Sequence, residues 1–551
     1  MTPHRVALVC DFFYPRVGGV EGHLWALAQC LLQLGHHVVV ITGSYWTPGA
    51  GGARTRRVGV RHMAGGLRVY YLPLLPALDQ AVVPGYCASL PYVRSVLLRE
   101  GVEVVHGHAT SSVLAHETLL QAQLLGLRTV YTDHSLYGFA DVVALSLARY
   151  LSLALACADA ALAVSHVGRA NLALRTGMPL ERISVIPNAV DALRFLPAPC
   201  ARPPPPRVNI VLLSRLVHRK GIDLAAAVIP AVCARFPHVH FLVGGDGPKR
   251  GVLEAMRDRC GLQERCELLG AIAHPHGVRA LLVRGHIFLS CSLTEAFCIA
   301  VVEAACAGCL VVSTPVGGVP EVLPPDLMIL AEAAHPAALV QALSEAVGRV
   351  TPETQGQGLG ARGRRMGAVA SGPEAQREGA ATMPGAVPAV VARRGPRGVA
   401  ARQREAAEKS EPEGCAPSRG GAASHPGPLL RGPACAGSLP NHAAPVEAPK
   451  HDPWAAHATV RAAYSWMEVA RRTAALYDKV RTAPPLQPSQ RFARWAALGP
   501  VMGPAVCVLM GLLTALLSLL EWLRPASEVD TLPRARGETQ QPFRKGAIGG
   551  A

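Results

Sequence analysis

From Val6 to about Val350 the chain alternates short β-branched runs with helical apolar patterns, and this alternation is its strongest constraint. The runs are "RVALVCDF", "HHVVVITG", "VEVVHGH", "RTVYTDHS" and "ISVIPNAV", then "NIVLLSRL", "HFLVGGDG", "GHIFLSCS" and "LVVSTPVGG". Strands joined through helices pair in parallel, so the rhythm predicts α/β sheets covered on both faces. The stretch "PAPCARPPPPR", residues 197–207, interrupts it. Its prolines cannot continue a helix or a central strand, and it reads as a stiff linker. The expected fold is therefore two facing Rossmann-like domains, residues 1–196 and 208–350. Ligands of such sheets sit outside the carboxyl ends of the strands, here in the cleft between the domains.

Residues 351–450 break the pattern, with 16 glycines, 13 prolines and no aromatic residue. That composition predicts a disordered insertion, or a mispredicted coding segment, rather than a functional arm. Helical character returns at "HATVRAAYSWMEVARRTAALYDKV", within a segment 451–485 expected to pack back on the core. Residues 497–520 carry no charge, and that length spans about 30 Å of hydrocarbon. They read as one transmembrane helix, with a buried hairpin helix as the alternative. Lys479, Arg481, Arg491 and Arg494 crowd its N-terminal flank, whereas Glu521, Arg524, Glu528 and Asp530 mix at the other. The positive-inside bias puts the preceding domains in the cytosol and the tail, 521–551, across the membrane. Met1 to Arg5 leads straight into a strand, without a signal peptide.

Lys and Arg exceed Asp and Glu by 16 (54 minus 38), which suits an anionic partner such as a nucleotide or a lipid surface. The 15 cysteines are scattered singly and no Asn-x-Ser/Thr occurs, as expected in a reducing compartment. Cys306 and Cys309 form one CxxC with no second pair, read as small buried thiols.

Several strand ends carry candidate chemistry. After the first strand come Gly18 and Gly19, which permit close approach to a ligand at a helix start. A dinucleotide site fails there, because the loop lacks GxGxxG and the second strand ends without an acid. In "SRLVHRKGIDL" Arg215 and Lys220 can converge on a diphosphate, and Gly245 of "GGDGPKR" opens another strand-end loop. The run "SLTEAFCIAVVEAACAG" places Glu295 before, and Glu303 inside, a helix expected to start near Ala296. Its first amides, Phe297, Cys298 and Ile299, would face the two cations. Amide donors, cations and carboxylates together fit a sugar nucleotide; otherwise Glu303 pairs with a basic side chain and Glu295 is a solvated acid. No Asp-x-Asp occurs, so a metal-held diphosphate is not expected and fixed protein charges must stabilise the leaving group. The apolar stretch 139–162, with Arg149 inside it, either dips into a leaflet or, as favoured, fills the first domain's core.

Glu295, seven residues, Glu303 resembles the EX7E signature of retaining glycosyltransferases of family 4, which have the GT-B fold. The longer motifs "DFFYPRVGGVEGH", "YTDHSLYGFAD", "SVIPNAVD", "SRLVHRKGIDL", "GGDGPKR", "GHIFLSCSLTEAFCIAVVEAA" and "VVSTPVGGVPEVLP" are similar to the catalytic subunits of phosphatidylinositol N-acetylglucosaminyltransferases. The likeness spans about residues 4–345, 457–480 and the membrane helix. It implies transfer of N-acetylglucosamine from UDP-N-acetylglucosamine to phosphatidylinositol, the first step of glycosylphosphatidylinositol anchor synthesis. It also implies a multisubunit complex on the cytosolic face of the endoplasmic reticulum membrane, with no metal cofactor and no nucleic acid partner. By the same resemblance Glu303 would hold the ribose, Glu295 the donor sugar, Arg215 and Lys220 the diphosphate. His134 would meet the donor sugar near the reacting carbon, and Gly18 and Gly19 would line the junction of donor and acceptor. Cys298 departs from the family, where glycine is common. A related lipid mannosyltransferase, and a scaffold whose insertion prevents domain closure, are the other readings.

Overall fold

In a computed structural model of the chain, the described residues are 2–16, 18–48, 54–77, 81–138, 142–272, 276–351 and 451–531. The first half carries strands β1 (Arg5–Val9), β2 (His37–Thr42), β3 (Tyr45–Pro48), β4 (Arg54–Arg57), β5 (Gly59–His62), β6 (Arg68–Tyr71), β7 (Val104–His108), β8 (Arg128–Asp133), β9 (Ala160–Ala163) and β10 (Ile183–Val185). Its helices are α1 (Gly19–Gln33), α2 (Tyr86–Arg99), α3 (Val113–Leu124), α4 (Val142–Leu155) and α5 (His166–Thr176). Then follow β11 (Val208–Leu213), α6 (Ile222–Arg235), β12 (Val239–Gly244), α7 (Arg250–Arg259), β13 (Cys266–Gly270), α8 (His276–Leu282), β14 (Ile287–Ser290), α9 (Ile299–Cys306), β15 (Leu310–Ser313), β16 (Met328–Leu330) and α10 (Pro336–Val350).

An eight-stranded sheet runs β10-β9-β8-β7-β1-β2-β6-β5, and a six-stranded sheet runs β13-β12-β11-β14-β15-β16. Every pairing within these two sheets is parallel except β5 with β6, and β1 sits centrally, Val6 facing Val38 and Val104. Successive residues of a strand point to opposite faces, and here both faces are covered. Val6 and Leu8 enter one core while Ala7 and Val9 enter the other. Ile210 and Leu212 likewise oppose Val211 in the second sheet. Cover on both faces explains why the central strands read as continuous apolar runs.

Two further helices pack on the cores of the two sheets. In α11 (Pro453–Ala463) Ala456 and Val460 join the second sheet's core beside α9, and His457 Nδ1 bonds the Cys306 carbonyl at 2.8 Å. The next helix, α12 (Trp466–Thr482), crosses to the first sheet, burying Val469, Ala470, Ala474 and Tyr477 against α1. His106 Nδ1 meets the Tyr477 hydroxyl at 2.7 Å, which ties the crossing helix to β7.

Helix α13 (Pro488–Ala496) leads into α14 (Met502–Leu523), an apolar helix of 22 residues. The expected span, 497–520, is thus shifted: residues 497–501 turn between two helices, and α14 continues through Glu521. Gly499 and Pro500 account for the late start, since proline cannot donate to a continuing helix. Val506, Met510, Leu513 and Leu517, at helical spacing, pack on Leu90, Leu120 and Leu153 of the first domain. Arg94, only 5% exposed, pairs with Glu521 and donates to the Arg524 carbonyl at 3.2 Å. Val508, Leu512, Leu519 and Trp522 remain exposed on the opposite face. In α4 Leu151 and Leu155 are core and Arg149 is exposed, so its apolar character is mainly packing. Residues 139–141, 352–450 and 532–551, and with them the expected disorder and most of the tail, lie outside the described residues.

Candidate active site

The loop after β11 holds Arg215 and Lys220, and the two behave differently. Arg215 is exposed and makes no side-chain ion pair among the described residues. Lys220 is half-buried and bonds the Glu295 carboxylate, which also accepts from Ser292 Oγ at 2.8 Å. Gly221, at φ +67°, makes this possible: its α-carbon lies against the Cys291 carbonyl, and any β-carbon there would collide. Gly245, at φ +123°, presses in the same way on the Ser214 carbonyl. Its close approach therefore serves the packing of two strand-end loops.

Glu295 is fixed from behind. Thr314 Oγ1 donates to the Ser292 carbonyl, and Gly318 N donates to the Glu295 carbonyl at 3.0 Å. The following helix starts later than expected, at Ile299, because Cys298 adopts φ +67° as its N-cap. Phe297 and Cys298 therefore precede the helix, and Val301 N is taken by the Cys298 carbonyl at 3.1 Å. The open start of α9 is Ile299 and Ala300 rather than the three amides anticipated. Phe297 is 4% exposed and stands edge-on to Tyr464 at 5.7 Å, so it is a packing residue. Glu303 is half-buried on α9 and already has an interaction in the unliganded chain.

In the first domain Gly18 is the N-cap of α1, extended and exposed, and nothing lies within 4 Å of where a β-carbon on Gly19 would stand. This is open room at the helix start. Asp11, at the end of β1, is spent on scaffolding: its carboxylate accepts from Ser112 Oγ, Leu114 N and Val82 N at 2.9–3.0 Å. Burial pushes its pKa up to about 6.

His134 follows β8 directly. The strand end is held by Asp133, which pairs with buried Arg175 and accepts from Thr110 Oγ1 at 2.8 Å. His134 Nε2 meets His108 Nδ1 at 3.2 Å, and the rings of His23 and His134 lie 4.6 Å apart. Burial drives all three imidazoles below their ordinary pKa, His23 to about 4 and the other two well down. Leu136, two residues on, packs toward Gly317, whose backbone abuts the Glu295 carbonyl. The His134 segment thus meets, through Leu136, the loop that abuts the Glu295 carbonyl.

Two features were missed by sequence reading. A cavity of about 570 Å³ between the domains is lined by Ser165, Arg169, Phe297, Glu321, Tyr464 and Arg472, among others. On its wall Glu321 accepts from the amides of His166 and Val167 at 2.7 and 2.9 Å, capping α5 of the opposite domain. The signal was the lone acid in "GGVPEVLP", legible only once both loops are placed.

Residues 52–141 match a family model described as PIGA (GPI anchor biosynthesis), and residues 207–348 match Glycosyl transferases group 1. The chain is 51% identical over 343 residues to a phosphatidylinositol N-acetylglucosaminyltransferase subunit of Arabidopsis thaliana, covering 62% of this chain and 74% of that one. It is 46% identical over 329 residues to the Homo sapiens protein of the same description, covering 60% and 66%. Among solved structures, sucrose-phosphate synthase from Thermosynechococcus elongatus superposes with a TM-score of 0.50 at 19% identity, covering 63% and 89%. That likeness shows the fold, GT-B.

Proposed function

The chain belongs to the PIGA family of phosphatidylinositol N-acetylglucosaminyltransferase subunits, and on that premise we propose that it transfers N-acetylglucosamine from UDP-N-acetylglucosamine to phosphatidylinositol. The observation that carries this reading is the Lys220–Glu295–Ser292 cluster at the strand ends, facing the His134 segment. Lys220 and Arg215 take the donor diphosphate, assisted by the first amides of α9. Glu295 then turns from lysine to the hydroxyls of the sugar, and Glu303 takes the ribose. The leaving phosphate accepts the inositol hydroxyl's proton as that oxygen attacks the same face of the sugar, so configuration is retained. Fixed cations and amides stabilise the charge developing on the phosphate. No metal is required to hold the diphosphate in this scheme.

The exposed apolar face of α14 suits a membrane, and we place the enzyme at the endoplasmic reticulum with its catalytic domains cytosolic, its tail lumenal and other subunits beside it. Spanning has a geometric consequence. Twenty-two residues of helix reach about 33 Å, so Glu521 cannot cross the bilayer while paired with Arg94 of the cytosolic domain. On this reading the Arg94–Glu521 pair parts when α14 enters the bilayer.

The deciding experiment expresses the chain in cells lacking this transferase and supplies labelled UDP-N-acetylglucosamine to their microsomes. Labelled phosphatidylinositol product is expected. Absence of product from the intact chain, with product on deleting 351–450, would support the scaffold reading instead.

A further inference from the structure

We propose that His23, His108 and His134 form a binding site for a divalent cation of the zinc class, at the floor of the cleft in the first domain. One nitrogen from each ring can be chosen so that all three lie within 4.8 Å of one another. The His108 Nδ1 to His134 Nε2 distance, 3.2 Å, is already close to the roughly 3.4 Å edge of a tetrahedron with zinc–nitrogen bonds of about 2.0–2.1 Å. The widest separation, within 4.8 Å, must close toward that edge to complete the triangle.

The surroundings suit the rings to this task. His23 is aimed by its surroundings: Nδ1 donates to Asn188 Oδ1 at 2.8 Å and the ring stands edge-on to Trp466. That leaves Nε2 for the cation, the support metal-binding histidines ordinarily have. His134 is only half-buried, which leaves a fourth position open to the cleft for water or an anion. A cation held here engages His134, which the family resemblance places near the donor sugar, so on the proposed function filling the site blocks transfer.

The test uses the full-length chain in detergent, stripped with chelator and dialysed against zinc or cobalt. One zinc per chain and the visible absorption of tetrahedral cobalt are expected. His23→Ala and His134→Ala should each weaken binding about 10- to 100-fold or more, with circular dichroism confirming that both remain folded. Zinc not retained, or retained equally by both variants, would overturn the site. Unchanged transfer by the zinc-loaded chain would overturn its blocking role. Binding is read without substrate, so its failure is distinguishable from failure of the transferase assignment.

Discussion

Lys220 and Glu295 form an ion pair between the ends of neighbouring strands β11 and β14, each less than one-fifth exposed. On the proposed function, donor binding is an exchange: phosphate replaces carboxylate on Lys220, and Glu295 is released toward the sugar. Because the gain falls on charge developing in the leaving group, Lys220→Ala should lower kcat by about 10²–10³-fold while changing donor KM much less. Steady-state kinetics in microsomes checks this; equal losses in both constants would rule out the leaving-group role.

Cys298 occupies a left-handed backbone conformation, φ +67°, that costs a residue with a side chain about 1–2 kcal/mol. Glycine removes that strain but loses more entropy on folding. Cys298→Gly should therefore stabilise by about 0.5 kcal/mol, and β-branched Cys298→Val should destabilise by about 2 kcal/mol. Thermal melts of the two variants, moving in opposite directions, would confirm that backbone shape rather than thiol chemistry governs this position.

The same residue shows where sequence reading stops. The βα rhythm was legible because both faces of the central parallel strands are covered, so those strands are apolar runs. The start of α9 was misplaced because no local pattern announces a left-handed cysteine. Antiparallel β5 escaped because Val60 is 41% exposed and the strand offers little apolar signal. The histidine cluster joins residues 23, 108 and 134, and the Glu321 cap joins opposite domains, so neither exists until the chain is folded. Lys220, Glu295 and His134 stood out in the sequence because they lie in the loops that follow β11, β14 and β8.

Glu321 reaches from the second domain to the two leading amides of α5 in the first. Removing a helix cap of this kind costs about 1 kcal/mol, and here it also frees one domain from the other. Glu321→Ala should lower stability by that amount and raise donor KM several-fold, with Glu321→Gln intermediate. Unchanged KM alongside lowered stability would limit the residue to capping.

Glu100 gives the fold a pH dependence of known sign. Burial opposes its ionisation, but His37, Tyr70 and Arg68, all on its carboxylate, outweigh burial and leave its pKa below the usual 4.5. A carboxylate lowered in the folded state contributes stability that is fully present above the unfolded pKa and lost as pH falls through the folded one. Asp11, raised to about 6, has the opposite sign and weakens the fold as pH rises from near 4 to 6. Melting temperatures below pH 4.5 should therefore fall less steeply for Glu100→Gln than for the parent, although the variant is less stable at neutral pH. Parallel curves would mean that Glu100 does not govern acid unfolding.

Arg94 and Glu521 make topology testable at one contact. In the docked arrangement they are bonded, with Arg94 buried beside the end of α14. Exposed α14 residues such as Leu512 and Trp522 show how much apolar surface awaits lipid; each leucine-sized side chain gains about 1.5–3 kcal/mol on leaving water. Several such residues outweigh one ion pair, even a partly buried one. A chain carrying Arg94→Cys and Glu521→Cys should cross-link when synthesised without membranes and fail to do so after insertion into microsomes, where a glycosylation acceptor added to the tail becomes modified. Cross-linking that persists in microsomes, with the tail unmodified, would instead place α14 along the cytosolic leaflet, its outer face in lipid and its inner face still on the first domain.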